Sequence, residues 1–510
     1  MIGSCHPSDP HLVQIKQGQI RGLTEDGVRV WKGIPYAKPP VGPLRWKAPQ
    51  EPDTWEGIRK AQHYGNICPQ MGYGETSIYE IPSESMSEDC LYLNVWSSNV
   101  RPSAKQPVFV WIHGGSLTRE GGSHPQYLGK NLAKKGLVYV SINYRLNAFG
   151  FLAHPELSDE SPDKVSGNYG IMDQIMALEW VQENIQAFGG DPDNVTIAGE
   201  SAGGWSVTLL TACKKATGLF HKAIAQSGVY LWPGPHLKVA HHTYLSGEEE
   251  GRQFMQQLGA KTLEDMRALP TEDIVSLFFS SDNVLSSEPM VDGHIFQEDI
   301  VAIYAQSRHN KVDIITGANS DEWSLWIPED LTTDPARYRA EIARRFPGRE
   351  ALFFEAYPVH DSRTIRQAYT DFLSDQNFHL HNRSWAKEMH KAGSRVFMYY
   401  FSKTPEERYP TKYGAFHGAE IVYTLNNLEN DPGPIGSGVF SDAELAYADQ
   451  VSDYWVNFAK HGDPNGNGLP PWPEWNPIQE PYLSFGEKIQ SKGFLLKNRL
   501  DKLEDFLAAE

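Results

Sequence analysis

Cysteine is scarce in this chain: its 510 residues hold four, Cys5, Cys68, Cys90 and Cys213. So few exclude a disulfide scaffold, and their spacing fits no Cys-x-x-Cys metal knuckle. Cys68 and Cys90 flank a polar loop, where a bridge would stabilise the fold by roughly 3 kcal/mol in an oxidising compartment. In a cytoplasm both stay thiols, and Cys5 and Cys213 read as unpaired. Long apolar runs are missing too. None approaches the roughly eighteen residues of a membrane span, and Met1-Ile2-Gly3-Ser4-Cys5-His6-Pro7 lacks the apolar core of a signal peptide. The chain therefore reads as cytoplasmic, or as secreted if a leader has been removed. Cations are in deficit, with 46 Lys and Arg against 64 Asp and Glu for a formal net charge of -18. That balance argues against a nucleic-acid partner, which needs clustered cations.

No Ser/Gly-rich linker, charge block, low-complexity tract or internal repeat divides the sequence. We expect one catalytic body over 1–510, with insertions around 69–89 and 325–410. Apolar residues make up 40% of the chain, with 14 Trp, 23 Tyr and 22 Phe, enough to fill a large core and line an aromatic cleft. Disorder is excluded on that count.

The most informative segment is Gly199-Glu200-Ser201-Ala202-Gly203, a G-x-S-x-G pattern. It follows Asn194-Val195-Thr196-Ile197-Ala198, a predicted buried strand set off by the chain break Asp191-Pro192-Asp193. The apolar run Val207-Thr208-Leu209-Leu210 after it predicts a helix. A serine on such a strand-to-helix turn projects its hydroxyl beyond the sheet, and the flanking glycines let strand and helix approach closely. Serine needs a base to act as a nucleophile, and the base needs an orienting acid. Two later strand ends offer them. Val312–Gly317 runs into Asp321 and Glu322, and the strand at Arg395–Phe401 precedes a loop bearing Phe416-His417-Gly418-Ala419-Glu420. Upstream, the apolar strand Pro107–Ile112 ends in His113-Gly114-Gly115-Ser116, whose Gly114 and Gly115 amides suit an oxyanion hole together with that of Ala202. His113 is read as bracing that loop.

Further segments carry a family likeness: Gly33-Ile34-Pro35-Tyr36-Ala37, Ser87-Glu88-Asp89-Cys90-Leu91, Asn143-Tyr144-Arg145, Phe188-Gly189-Gly190-Asp191-Pro192, Ala225-Gln226-Ser227-Gly228 and Phe458 to Asn465. With the elbow, the sequence resembles the type-B carboxylesterases, which include bacterial p-nitrobenzyl esterases and cholinesterases. The resemblance implies an α/β-hydrolase fold, a central and mostly parallel twisted sheet flanked by helices with large loop and helical insertions. It further implies Ser201 as nucleophile, Glu322 rather than Asp321 as acid, and His417 as general base. The implied reaction is hydrolysis of a small-molecule carboxylic ester through an acyl-enzyme, needing no metal or organic cofactor.

Several residues have competing readings. Glu420 is expected to be a local salt-bridge or surface group, and Ser227 a plain core hydroxyl. Glu200 is either a turn residue or a source of negative potential, and Trp205 either lines an acyl pocket or packs. Arg119 is read as a solvated surface ion pair, with contact to an anionic substrate group as the alternative. The 69–89 loop has Tyr73 and Tyr79 but no tryptophan to hold a choline cation, which disfavours a cholinesterase. Its five acidic and no basic residues disfavour an apolar lipase lid. Ser116 stands where many relatives have a third glycine. A rival of another class is a non-catalytic adhesion or binding relative, although no triad member is missing. A specialised lipase, amidase or toxin esterase stays open within enzymes, as does the oligomeric state. The C-terminal Leu500–Leu507 pattern predicts a helix docked on its own chain.

Overall fold

The computed structural model describes residues 9–74, 77, 79–80, 85–360, 362–404, 413–430 and 440–508; Cys5 lies outside them. The main sheet has eleven strands. In chain order they are β1 (Leu23–Glu25), β2 (Val28–Pro35), β3 (Tyr92–Ser97), β4 (Gln106–Ile112), β5 (Val138–Ile142) and β6 (Gly190–Glu200). There follow β7 (Lys222–Gln226), β8 (Asp313–Asn319), β9 (Val396–Phe401), β10 (Tyr482–Phe485) and β11 (Ile489–Lys492). Across the sheet the order is β11-β10-β9-β8-β7-β6-β4-β5-β3-β2-β1. Every neighbouring pair from β5 to β10 is parallel, and the pairings at both margins are antiparallel.

Parallel strands need both faces covered, and β4 explains how this chain does it. Its side chains alternate: Val108, Val110 and Ile112 join one buried cluster, Phe109 and Trp111 another. The first cluster takes in Ile171, Leu178 and Val181 of the Tyr169–Asn184 helix, and the second Val451, Tyr454 and Trp455 of the Asp442–His461 helix. Helices thus cover both faces, and the strand C-termini carry the loops.

The expected break at Asp191-Pro192-Asp193 takes the form of an irregularity inside β6. Gln106 pairs with Gly190 and Val108 with Val195, so the intervening residues of β6 bulge out of the ladder. The helical excursion expected over 325–410 ends earlier, at Lys391, because β9 is an integral strand of the sheet. Its helices form a separate aromatic cluster containing Tyr338, Phe346, Phe353 and Phe372. Leu503 and Phe506 of the Lys497–Ala508 helix complete that cluster, so this helix docks on its own chain.

Cys68, Cys90 and Cys213 are free and buried. A hydrogen bond to Cys68, reinforced by burial, pushes the Cys90 thiol well above its usual range. Asn382, which opens the glycosylation sequon Asn382-Arg383-Ser384, is fully buried and bonded to Thr316 and the Phe378 carbonyl.

Candidate active site

Ser201 stands between β6 and the Ala202–Ala212 helix with φ 55° and ψ -124°, a strained conformation for a residue with a Cβ. Only glycine fits around it. A Cβ on Gly203 would lie 2.1 Å from the Ile112 carbonyl oxygen, and one on Gly199 2.5 Å from the Gly203 backbone. The strain is held by pairing, since the Ser201 amide donates to the Gln226 carbonyl at 2.9 Å. Ala202 opens the helix, so its amide is among the first-turn donors that a helix leaves unused.

The loop after β4 meets this elbow directly. A Cβ on Gly114 would come within 3.2 Å of Ser201 Cβ, and Gly115, Ser116 and Leu117 all take positive φ. The amides of Gly114 and Gly115 donate to no protein group among the described residues. His113 is buried, stacked on Tyr144 at 4.5 Å, and burial lowers it to about 3, so it is a neutral brace.

Glu322 and His417 come together from the loops after β8 and β9. His417 Nδ1 lies 2.6 Å from Glu322 Oε2, while Glu322 Oε1 accepts the Asn319 amide at 2.6 Å. Asp321 points elsewhere, accepting from the Ala415 amide and from Gln367. The His417 ring sits against Phe378 at 5.0 Å and Trp326 at 5.6 Å, and Tyr79 donates to the His417 carbonyl at 2.7 Å. Asn319 is fixed from behind: its carbonyl lies 2.9 Å from His379 Nε2, and His379 Nδ1 lies 2.8 Å from Asp375. Asp375 in turn pairs with Arg499 of the C-terminal helix. No local motif marks Phe378, Trp326, His379 or Arg499, because each reaches the site from a distant segment.

Carboxylates crowd this imidazole. His417 Nε2 is 3.3 Å from Glu200 Oε1 without hydrogen-bond alignment, and no closed hydrogen bond joins His417 to Ser201. Burial pushes Glu200 well above the usual carboxylate range. On His417 burial acts downward, but Glu200, Glu322 and Glu420 outweigh it and lift the imidazole to about 10. In its ionised form Glu200 is the first of the carboxylates that hold the His417 imidazole up.

Glu420 departs from expectation. It is fully buried, accepting from Asn319 at 2.5 Å, Gln226 at 3.3 Å and Ser227 at 3.4 Å, and burial with Glu322 nearby raises it to about 7. The chain folds it inward because those neutral amide and hydroxyl donors replace the water a surface carboxylate would have. Ser227 is thereby a partner of that buried acid.

Ser201 and His417 open into one cavity of about 930 Å³. Trp205 lines it and also packs edge-on against Trp232 at 5.2 Å, so both of its readings apply. Arg119 departs from expectation too. Its guanidinium lies 4.7 Å from the ring centres of both Tyr73 and Phe279 at the cavity wall, and it pairs with no carboxylate among the described residues. These two rings draw it off the surface by cation–π attraction. Its Nε is shut off from water and unpartnered.

Fold and site together define an α/β-hydrolase that works on carboxylic esters. The chain belongs to the carboxylesterase family, whose model matches residues 9–503. It is 32% identical to the fumonisin B1 esterase of Sphingopyxis macrogoltabida over 96% of this chain and 89% of that protein. Identity to the para-nitrobenzyl esterase of Bacillus subtilis (strain 168) is 34%, over 91% and 92% of the two chains. The solved carboxylesterase of Geobacillus stearothermophilus superposes with a TM-score of 0.82 at 32% identity, covering 96% of this chain and 99% of that one. Among the described residues no helix is long and apolar enough to cross a membrane.

Proposed function

We propose that the whole chain is one catalytic unit in which Ser201, Glu322 and His417 hydrolyse a small-molecule ester. Ser201 Oγ attacks the ester carbonyl as His417 Nε2 takes its proton. The oxyanion rests on the amides of Gly114, Gly115 and Ala202, and the proton passes to the departing alcohol. Water then attacks the acyl-serine, gives its proton to His417, and releases the acid as Ser201 is restored. Glu322 holds the imidazole in the tautomer that presents Nε2 and stabilises its charged form. The observation that carries this reading is the 2.6 Å contact between Glu322 and His417 at the wall of the cavity that Ser201 faces. The test is hydrolysis of p-nitrophenyl acetate with covalent labelling by an organophosphonate. Ser201→Ala should lower turnover by about a million-fold and abolish labelling; near-normal hydrolysis by that variant refutes the assignment.

Within this reaction Arg119 selects esters that bear a second, anionic group. Its guanidinium is held against two aromatic rings, contacts that use no N–H donor and leave these groups for a carboxylate. In a chain with 64 acidic residues against 46 basic ones, a cavity arginine without an acidic partner among the described residues is the exception that supports this reading. A cytoplasmic location agrees with the three free buried thiols and the buried Asn382 sequon. Fractionation of the expressing cells checks it.

A further inference from the structure

The chain leaving β7 makes an irregular loop before the Gly247–Gln257 helix, and that loop brings two imidazoles to one carboxylate. We propose that His236, His241 and Asp299 bind a divalent d-block cation of the zinc class. His236 Nε2 lies 3.5 Å from Asp299 Oδ1, His241 Nε2 lies 3.3 Å from Asp299 Oδ2, and the ligand atoms of the three residues all fall within 4.8 Å of one another. Neither contact has the alignment of a hydrogen bond. Both Nε2 atoms and Oδ1 are closed to water and without a partner. Three convergent buried polar atoms that find no hydrogen-bond partner in the protein are unusual, because buried polar groups almost always find one.

The spacing fits a cation better than a direct contact. Zinc bonds of ~2.0–2.1 Å to imidazole nitrogen and carboxylate oxygen set tetrahedral ligand atoms ~3.3–3.4 Å apart. The two separations, 3.5 and 3.3 Å to different oxygens of Asp299, lie close to that edge. The donor set agrees as well: two imidazoles and one carboxylate suit zinc and its neighbours, whereas magnesium and calcium prefer all-oxygen cages and copper(I) prefers sulfur.

The backbone places these side chains beforehand. His236 is pinned by a bridge to Val291, and its carbonyl accepts the Gly247 amide at 2.9 Å. His241 closes a tight turn with Tyr244 through two reciprocal bonds of 3.1 and 2.9 Å. Asp299 occupies the N-cap of the Ile300–Ala305 helix, where an aspartate ordinarily accepts a first-turn amide. Here it makes no cap bond, and its carboxylate turns to the imidazoles instead. The imidazole rings of His236 and His241 lie 4.0 Å apart at a 36° tilt. A cation bound by these two rings and Asp299 has a fourth position for water. Trp232 stands on the same loop and packs against Trp205 of the active-site cavity, so the bound ion tethers the segment behind that wall.

The experiment uses the full chain, stripped with a chelator and titrated with zinc chloride by calorimetry, with melting followed in parallel. We expect a saturable site of one zinc per chain and a zinc-dependent rise in melting temperature. His241→Ala and the isosteric Asp299→Asn should each weaken affinity at least tenfold and remove that rise. His242→Ala, whose ring only neighbours His241, should keep both. Cobalt(II) in place of zinc should give the visible absorption of a tetrahedral site, lost in Asp299→Asn. Absence of saturable binding, or one-to-one binding that survives both His241→Ala and Asp299→Asn, overturns the proposal. A plain imidazolium–carboxylate contact gives no zinc-dependent stabilisation, and that result also refutes it.

Discussion

Replacing Arg119 by alanine removes the only arginine among the described residues that line the active-site cavity. In the folded protein the loss is modest, since each partly exposed cation–π contact contributes about 0.5–1 kcal/mol. The two contacts, with Tyr73 and Phe279, then stabilise by roughly 1–2 kcal/mol together. The functional loss is larger and selective. Hydrogen bonds from a charged donor contribute about 1.5–3 kcal/mol, which is roughly a 10- to 150-fold change at 1.4 kcal/mol per factor of ten. The assay compares kcat/KM for two p-nitrophenyl esters of equal acyl length, one ending in a carboxylate and the other in its methyl ester. Arg119→Ala should lower the ratio of acidic to neutral ester by that factor. Arg119→Lys should recover part of it, because the charge returns without the planar fork. A ratio within about twofold of the parent for Arg119→Ala sinks the selection argument. Ester hydrolysis itself would stand, because the neutral substrate reports on Ser201 and its partners alone.

Glu200→Gln tests the electrostatics. Glu200 helps hold His417 up near 10, and the base works only when it is deprotonated. Removing that carboxylate lowers the imidazole and moves the acidic limb of kcat/KM to lower pH; an unmoved limb means that Glu200 is neutral there. Glu322→Gln keeps the shape of the acid but not its charge, and turnover should fall by about 10⁴-fold as the imidazole loses its orienting anion. Steady-state kinetics with p-nitrophenyl acetate decides it, and a fall of less than tenfold contradicts the role. Gly203→Ala forces a methyl to within 2.1 Å of the Ile112 carbonyl, so soluble yield and labelling at Ser201 should both collapse. Arg145→Ala strands Asp173, a fully buried carboxylate now bonded by the guanidinium at 2.7 Å. The cost should be about 3–5 kcal/mol in a denaturant titration, and a loss below 1 kcal/mol counts against a buried pair.

Much of the sheet and the outline of the site were legible in the sequence because both are written in local patterns. The apolar runs of β4 and β8, the glycines around Ser201 and the glycine after His417 each report a backbone demand that neighbouring residues reveal. Glu420 and Arg119 were misjudged for the opposite reason. A charged residue reads as exposed until its partners are known, and these partners come from remote segments. Gln226 and Asn319 draw Glu420 inward, and Tyr73 and Phe279 draw Arg119. The pair formed by His236 and His241 had no signal at all without Asp299, since two histidines on a loop specify nothing until a third ligand converges on them.

The chain of contacts from Arg499 through Asp375 and His379 to the Asn319 carbonyl has a consequence for the order of assembly. Synthesis delivers Ser201 first, His417 much later and Arg499 later still, in the first turn of the last described helix. A growing chain that has released both residues still lacks the arginine that pairs with Asp375. Ser201 is thus made early and its surroundings are completed late, when the C-terminal helix has docked.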